Sequence, residues 1–194
     1  SLILDLRNNP GGLLDVAVKI AGRFVPTDKM IAYTKGRKEE QNLEFYSDSK
    51  SAILDLPMVV LINEGSASGS EIVAGVLQDY KRAIVIGKTS FGKGSVQTVI
   101  PLGDGSALRL TTSHYFTPSG KIIHGKGITP DILVEAAKEN SPDNEPRELN
   151  KGAEIFKEIE SAEKSSPVRA DSFDYKNDPQ IMRALNTLKA IELY

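Results

Sequence analysis

The chain lacks cysteine and tryptophan and has only two histidines, His114 and His124. Zinc sites in proteins are built largely from cysteine and histidine. Because the sequence has no cysteine and no grouping of His, Asp and Glu at metal-ligand spacing, we expect neither a metal nor another cofactor. A Ser–His–Asp triad would have to use one of these two histidines, which lie in an alternating strand and in a turn.

The sequence also lacks a long apolar run and a strong excess of either charge. No stretch reaches the roughly 20 apolar residues of a membrane-spanning helix. The formal net charge of −2 argues against nucleic acid as the main partner. The hydrophobic content of 40% is normal for a soluble globular protein. No signal peptide precedes the first core strand, so we expect a fragment whose upstream part is missing.

A turn rich in small hydroxyl residues links a strand to a helix near the middle of the chain. Residues 57–62 read P-M-V-V-L-I, an apolar run typical of a buried strand. Apolar residues then recur at helical spacing from Glu71 onwards. Ser66, Ser68 and Ser70 therefore fall at the strand-to-helix turn.

The start of a helix is a favourable place for a nucleophilic serine. The first backbone amides have no partner within the helix and carry the positive end of its dipole, so they could hold a developing oxyanion. Serines also cap many helices, and the segment alone leaves both interpretations open. Lys93 follows Ser68 by 25 positions and lies between two glycines, a combination that suits a serine nucleophile with a lysine base.

Two familiar motifs fail in this region. The nucleophile motif G-x-S-x-G needs glycine two positions before and after the serine, whereas Ser68 has Ser66 and Ser70 there. The phosphate-binding pattern G-x-x-x-x-G-K-[ST] needs a hydroxyl residue after the lysine, whereas Gly94 follows Lys93. A strand-like alternation, rather than a helix, comes next. We therefore do not expect a nucleotide site.

Five motifs in order resemble the protease core of the carboxyl-terminal processing peptidases, also called tail-specific proteases. They are D-L-R-N-N-P-G-G at residues 5–12, G-S-A-S-G-S-E at 65–71, F-G-K-G-S-V-Q at 91–97, T-P-S-G-K at 117–121 and G-I-T-P-D at 127–131. The resemblance implies an α/β, Clp- or crotonase-like core of mixed sheet and helices. It also implies a serine endopeptidase that cleaves near the C-terminus of protein substrates.

The resemblance implies roles for five residues. Ser68 matches the nucleophile, Lys93 matches its base, and Gln97 matches the residue that orients the lysine amine. The backbone amides of Gly12 and Gly69 match the oxyanion hole. The family usually has alanine at the second of these glycines. Since only the amide is used, we expect the exchange to be tolerated with some loss of turn rigidity.

Two acidic residues, Glu71 and Asp79, share one stripe of the predicted helix and match acids of the family. We expect Glu71 to support the site without touching the substrate. Asp79 lies about 16 Å along the helix axis from Ser68, so we expect it to be structural and paired with Arg82. A solvated helix face is an equal alternative for Asp79.

A lysine acts as a general base only when it is neutral, so its ordinary pKa of about 10.4 must be lowered. Burial away from carboxylates has this effect, and the sequence neighbours of Lys93 carry no charge. Residues four apart on a straight strand lie about 13 Å apart. Contact between Lys93 and Gln97 therefore requires a bend, which Gly94 could provide. The alternative for Lys93 is a solvated hairpin lysine.

The chain divides near residue 135. We expect a Ser–Lys protease core over residues 1–135 and a linker with a helical C-terminal extension over residues 136–194. Within the core, residues 37–50 are polar and indicate an exposed excursion. Residues 97–115 indicate two strands joined by a hairpin with a D-G signal.

The extension contains two predicted helices. The first covers residues 150–164. The second covers residues 178–193, with Asp178 as N-cap and Pro179 at its first position. Its apolar stripe of Ile181, Leu185, Leu188 and Ile191 must dock on the core or on a partner subunit.

Three functions remain open. A Ser–Lys endopeptidase is the leading one; a peptide-binding core that has lost catalysis and a crotonase-like acyl-transfer enzyme are the others. The presence of Ser68, Lys93 and Gln97 together argues against lost catalysis, and no feature indicates an acyl-carrier pocket. The resemblance further implies substrates with exposed C-terminal tails, an upstream PDZ domain, a possible homo-oligomer, and a periplasmic or otherwise extracytoplasmic location in a bacterium.

Overall fold

Two four-stranded sheets and three α-helices make up the part of the chain that the structure, a computed structural model, describes: residues 1–48, 52–137 and 175–193. The elements in chain order are β1 (Leu2–Asp5), α1 (Leu14–Gly22), β2 (Met30–Gly36), β3 (Glu44–Tyr46), β4 (Met58–Ile62), α2 (Gly69–Asp79), β5 (Ile84–Gly87), β6 (Ser95–Pro101), β7 (Ala107–Phe116), β8 (Ile132–Leu133) and α3 (Pro179–Glu192). None of the helices in these described ranges is long and apolar enough to cross a membrane.

The first sheet is parallel and has the order β1-β4-β5-β8. Its central strand β4 is buried along its whole length, as the apolar run predicts. The register pairs Leu2 with Met58 and Asp5 with Leu61. The carboxyl ends of β1 and β4 therefore lie side by side, and the loops that follow them meet at one edge of the sheet, the usual site for ligands in such sheets.

The two faces of β4 are covered by different helices. Successive side chains of a strand point to opposite faces. Val60 and Ile62 belong to a cluster with residues of α1 and α2. Val59 and Leu61 pack with Ala184 and Leu188 of α3 instead. The C-terminal helix therefore docks on the core of its own chain.

The second sheet is antiparallel and has the order β3-β2-β7-β6. A tight turn around Asp104 joins β6 to β7, which confirms the predicted hairpin. The pairing of β6 with β7 shifts between Val96 and Gln97, and such a shift marks a β-bulge. Parallel and antiparallel pairing are thus divided between two sheets rather than mixed in one.

The predicted elements agree with the structure with two exceptions. The region 37–50 is not simply an excursion, because Glu44–Tyr46 pairs with β2 as an edge strand. In the stripe of the last helix, Ile191 remains 39% exposed, while Ala184 is fully buried. The predicted helix over residues 150–164 lies outside the described residues, and the division of the chain at residue 135 stays a prediction.

A cluster of polar side chains fixes the start of α3. Asp178 caps the helix as predicted, with Oδ1 accepting from the amides of Gln180 and Ile181 at 2.9 and 3.1 Å. Its other oxygen accepts from the Arg7 guanidinium at 2.7 Å. Gln180 is buried and joins Arg7 to the carbonyl of Val134. The C-terminal helix is thereby tied to the residues that follow β1.

The ion pair sets a pH dependence for this attachment. Burial acts to raise the pKa of Asp178, but Arg7 and the two amides outweigh it and hold the pKa below its ordinary value. A carboxylate whose pKa is lowered by folding stabilises the folded state above its unfolded pKa, about 3.9 for Asp. That contribution is lost as the pH falls through the lower folded value.

Replacing Asp178 with alanine should lower the free energy of unfolding by about 1–3 kcal/mol at pH 7, because both the cap and the partner of Arg7 are lost. Asp178→Asn keeps the cap acceptor and should cost less. Urea unfolding measures both, with Glu192→Gln on the exposed surface of α3 as the control. The deficit of Asp178→Ala should shrink between pH 7 and pH 3. An equal deficit at both pH values would contradict the ionic contribution.

Candidate active site

The three serines of the strand-to-helix turn have different surroundings. Ser66 is fully buried, and its hydroxyl donates to the carbonyl of Leu6 at 2.7 Å and accepts from the amide of Asn63 at 3.0 Å. Ser70 is also buried. Ser68 alone of the three is partly exposed. It is therefore the serine that a substrate can reach.

The backbone at Ser68 is in an unusual conformation. Its φ is 54° and its ψ is −116°, a region that a non-glycine residue seldom adopts. Ser68 immediately precedes α2, and its amide donates to the Glu71 carboxylate at 2.8 Å. Residues held in such conformations cluster at functional sites, and here the conformation brings Ser68 to the N-terminus of the helix.

Two backbone amides without protein acceptors lie next to Ser68. They belong to Gly12 and Gly69, and neither donates a hydrogen bond to another of the described residues. A β-carbon on Gly69 would lie 3.3 Å from the Gly12 nitrogen, so the two glycines are close neighbours. The structure therefore brings together the two amides that the resemblance assigns to an oxyanion hole.

The close approach of the two loops depends on glycine. Gly11 has a φ of 87°, and a β-carbon there would lie 2.5 Å from both the carbonyl oxygen of Ala67 and the nitrogen of Gly69. At Gly69 itself, a β-carbon would lie 3.3 Å from the β-carbon of Ala17. The carboxyl-terminal processing peptidases usually have alanine at this position. An alanine here would require Ala17 and Gly12 to shift by a few tenths of an ångström.

A buried carboxylate joins the Ser68 turn to the Lys93 loop. Glu71 is fully buried, and its Oε2 accepts from the amides of both Ser68 and Lys93, each at 2.8 Å. The two amide nitrogens are therefore no more than twice 2.8 Å apart. Oε1 accepts from the Ser90 hydroxyl at 2.5 Å and from the amide of Gly92 at 2.7 Å. Glu71 therefore links the two segments, and its supporting role in activity stays a prediction.

Burial and hydrogen bonding oppose each other at Glu71. Burial raises the pKa of Glu71 above its ordinary value, while its four donors act to lower it. Lys93 has no charged sequence neighbours, yet this carboxylate lies against its backbone in the fold. Four donors on the two oxygens satisfy a buried group that would otherwise be costly.

Lys93 lies in the glycine-rich loop that precedes β6, and Gln97 lies within β6. Lys93 is partly buried, and Gln97 is exposed. The pairing of this strand with β7 shifts between Val96 and Gln97, and a bend at Gly94 stays a prediction. The assignment of Ser68, Lys93 and Gln97 to a catalytic group stays a prediction.

The two histidines lie together, close to the same loop. The His114 and His124 rings are 4.5 Å apart and tilted by 33°. His114 pairs with Ser95 across β6 and β7. In the described ranges, neither ring is hydrogen bonded to Ser68 or to a carboxylate, as a triad would require, and no group of three His, Asp or Glu side chains could hold a metal ion.

Asp79 has a different partner from the one that the sequence suggests. Its side chain is 4% exposed and pairs with Lys121 at 3.1 Å, and it accepts from the Ser119 amide at 2.9 Å. Burial opposes these donors, but they hold the pKa of Asp79 below its ordinary value. The predicted pairing with Arg82 is wrong, because that guanidinium donates to the carbonyls of Ile53 and Leu56. Asp79 instead ties the end of α2 to the turn after β7.

An apolar cleft of about 310 Å³ adjoins the two free amides. Gly12 and Gly69 line it together with Leu13, Val16 and Ile20, three exposed apolar residues at and along α1. A peptide with its carbonyl at the amides would have apolar surface beside it.

Three residues at the site were missed by the sequence analysis: Ser90, Asn8 and Asn63. Ser90 accepts from the amide of Ile128 at 2.7 Å while donating to Glu71. Asn8 and Asn63 are hydrogen bonded to each other. The sequence marks these three residues only by their positions inside the matched motifs or just before them. Hydroxyl and amide residues are common in turns, so the residue types alone do not single them out.

Comparison with known proteins agrees with this geometry. A profile of peptidase family S41 matches residues 1–134. A carboxy-terminal-processing protease of Bartonella bacilliformis is 56% identical over 133 residues, which are 69% of this chain and 30% of that protein. A probable CtpA-like serine protease of Staphylococcus aureus is 45% identical over 140 residues, 72% of this chain and 28% of that protein. The chain thus spans about 30% of the length of these curated relatives.

Two solved structures are similar as well. The photosystem II D1 C-terminal processing protease has a TM-score of 0.64 at 38% identity, covering 69% of this chain and 34% of that one. A putative S41 protease from Bacteroides fragilis has a TM-score of 0.64 at 18% identity, covering 97% of this chain and 44% of that one, and this second match shows the fold alone. Since the profile covers well over half of its residues, the chain belongs to peptidase family S41.

Proposed function

We propose that the protein is a serine endopeptidase that uses Ser68 as nucleophile and Lys93 as general base. The observation that carries this proposal is the shared oxygen of Glu71, which accepts from the amides of both residues. Residues 25 positions apart are thereby held at neighbouring points of the fold. Family membership and the partial exposure of Ser68 support the same reading.

The proposed reaction has two acyl-transfer steps. The Ser68 hydroxyl adds to the peptide carbonyl while the Lys93 amine takes its proton. Collapse of the tetrahedral intermediate breaks the C–N bond, and the leaving amine takes that proton from Lys93. Water then adds to the acyl ester on Ser68, with Lys93 again as base, and releases the carboxylic acid and the free serine.

The two free amides supply electrostatic stabilisation. In the tetrahedral intermediate the carbonyl oxygen becomes negative, and Gly12 and Gly69 would donate to it. Removing one such donor in other serine proteases costs about 10²–10³ in kcat. Since both are backbone groups, their positions rather than their side chains determine the rate.

The natural substrates belong to the same proposal. The names of the relatives point to processing at carboxyl termini, and we propose that this chain acts on protein tails. An upstream PDZ domain, a homo-oligomer and an extracytoplasmic location are expectations from the resemblance. The sequence of the whole protein would test the PDZ domain and the location.

The nucleophile and base are tested by substitution in the full-length protein. Ser68→Ala and Lys93→Ala should each abolish hydrolysis of an unstructured peptide without unfolding the protein, because each removes a reacting group. Replacing His114 and His124 together with glutamine should leave measurable hydrolysis. A folded but inactive histidine double variant alongside an active Lys93→Ala variant would contradict the Ser–Lys mechanism. Binding of peptide without cleavage by the wild type would favour an idle peptide-binding core.

Glu71→Gln should impair both stability and catalysis. The amide nitrogen of glutamine would face N–H donors, leaving at least one buried amide unsatisfied at a cost of about 1–3 kcal/mol. It should also loosen Lys93 against Ser68, with a fall in kcat/KM of roughly tenfold or more. Glu64→Gln, the same change at a half-exposed carboxylate paired with Lys88, is the matched control and should alter kcat/KM by less than about twofold. Equal effects of the two substitutions would show that Glu71 has no special role.

Two substitutions test the role of Gln97, and one of them introduces a negative charge. Gln97→Ala should lower the rate if the side chain orients the lysine amine when substrate is bound. Gln97→Glu should lower it further at neutral pH, since a carboxylate near a lysine favours the ammonium form. The acid limb of the pH–rate profile should then move to higher pH. An acid limb that stays in place or moves to lower pH would contradict this role.

A further inference from the structure

The two loops that carry the free amides are joined by a reciprocal pair of amide side chains. The loop after β1 contains Asn8, and the loop after β4 contains Asn63. The Asn8 backbone amide donates to Asn63 Oδ1 at 2.8 Å, and Asn63 Nδ2 donates to Asn8 Oδ1 at 2.8 Å. Asn63 Oδ1 also accepts from the amide of Gly65 at 3.1 Å. One side chain therefore holds both loops.

The local backbone is adapted to this pair. Asn8 has a φ of 55°, a conformation that asparagine tolerates better than most residues. A β-carbon on Gly65 would lie 2.7 Å from Asn8 Oδ1 and 2.9 Å from Asn8 Cα. Any larger residue at position 65 would push the two loops apart. The asparagine pair and the glycine together fix a close approach of the loops.

Other contacts hold the same loops independently of the pair. The Ala67 amide donates to the carbonyl of Asn9 at 3.0 Å, and the Ser66 hydroxyl donates to the carbonyl of Leu6. Asn8 is exposed, so its loss exposes no buried polar group. The loops should therefore stay folded without the pair, and their relative position should become less exact.

We propose that Asn8 and Asn63 are positioning residues that set the Gly12 amide against the Gly69 amide. This inference rests on the proposed function of Ser68. Neither asparagine lines the apolar cleft beside the two amides. The asparagine pair affects the rate through the distance between the Gly12 and Gly69 amides. A misplacement of about 1 Å can lower a catalytic rate roughly 10²-fold. The amides act on the transition state, so binding of the uncleaved substrate should change little.

The test uses variants of the full-length protein that keep the backbone conformation. Asn8→Gly removes the side chain without straining the positive φ, and Asn63→Ala removes both the acceptor of the Asn8 amide and the donor to Asn8 Oδ1. Each should lower kcat by roughly tenfold or more with KM changed by less than about threefold. Asn8→Asp keeps the acceptor for Asn63 and should restore most of the rate lost in Asn8→Gly. Asn42→Gly, the same change in an exposed loop far along the chain, should alter kcat by less than about twofold.

A second readout separates positioning from folding. A peptide aldehyde forms a tetrahedral adduct whose oxygen needs the same two amides, so its inhibition constant should rise in parallel with the loss of kcat/KM. The corresponding peptide alcohol forms no adduct and should bind as before. The double variant Asn8→Gly/Asn63→Ala should lose no more than the worse single variant, because both break the same contact between the loops.

The outcomes distinguish the inference from the proposed function. Hydrolysis by the wild type that is lost in Ser68→Ala establishes the function, and unchanged kcat in both asparagine variants then overturns only the positioning. Additive losses in the double variant, or equal weakening of aldehyde and alcohol, also overturn it. Hydrolysis that is independent of Ser68 overturns both. If Asn8→Gly fails to fold, Asn63→Ala and its aldehyde inhibition decide the question alone.

Discussion

The buried carboxylate of Glu71 is the interaction on which the rest of the site depends. A carboxylate without exposure is costly unless its oxygens are hydrogen bonded, and here four donors come from two distant segments of the chain. Those segments are the Ser68 turn and the loop from Ser90 to Lys93. The energetic need to satisfy Glu71 thus holds the backbones of Ser68 and Lys93 next to each other, through their amides rather than their side chains.

The layers of the fold place this carboxylate and the loop that carries Gly12 at one edge of a parallel sheet. Adjacent strands β1 and β4 end together, so the loop with Gly12 meets the turn with Ser68. On the opposite face, α3 is attached through Asp178 and Arg7, at the start of the same loop. The few residues after β1 therefore contribute both to the attachment of α3 and to the arrangement of the loops at the edge of the sheet.

Much of the fold could be predicted because short stretches of sequence indicate individual strands and helices. The run at residues 57–62 indicates a buried strand, and the order Asp178, Pro179 indicates a helix start; both predictions are confirmed. The strand Glu44–Tyr46 was missed because it is only three residues long, follows a polar stretch and gains its pairing from β2. The register shift between Val96 and Gln97 was not predicted, since it depends on the pairing with β7.

The candidate site was predictable only in part for a similar reason. Position at the turn alone leaves Ser66, Ser68 and Ser70 equivalent; the family resemblance selects Ser68, and burial separates it from the other two. The partner of Asp79 is Lys121, more than 40 positions away, so local spacing favoured Arg82 wrongly. The contact between Asn8 and Asn63 has no sequence signature beyond their positions in or near the matched motifs, because it exists only when two parallel strands end together.

Mapping a covalent adduct tests the central claim most directly. A peptidyl fluorophosphonate reacts with an activated serine, and mass spectrometry of the digested protein identifies the labelled residue. We predict a single adduct on Ser68 that forms faster as the pH rises and is absent from Lys93→Ala. Labelling of Ser66 or Ser70, or unchanged labelling of Ser68 in Lys93→Ala, would contradict it.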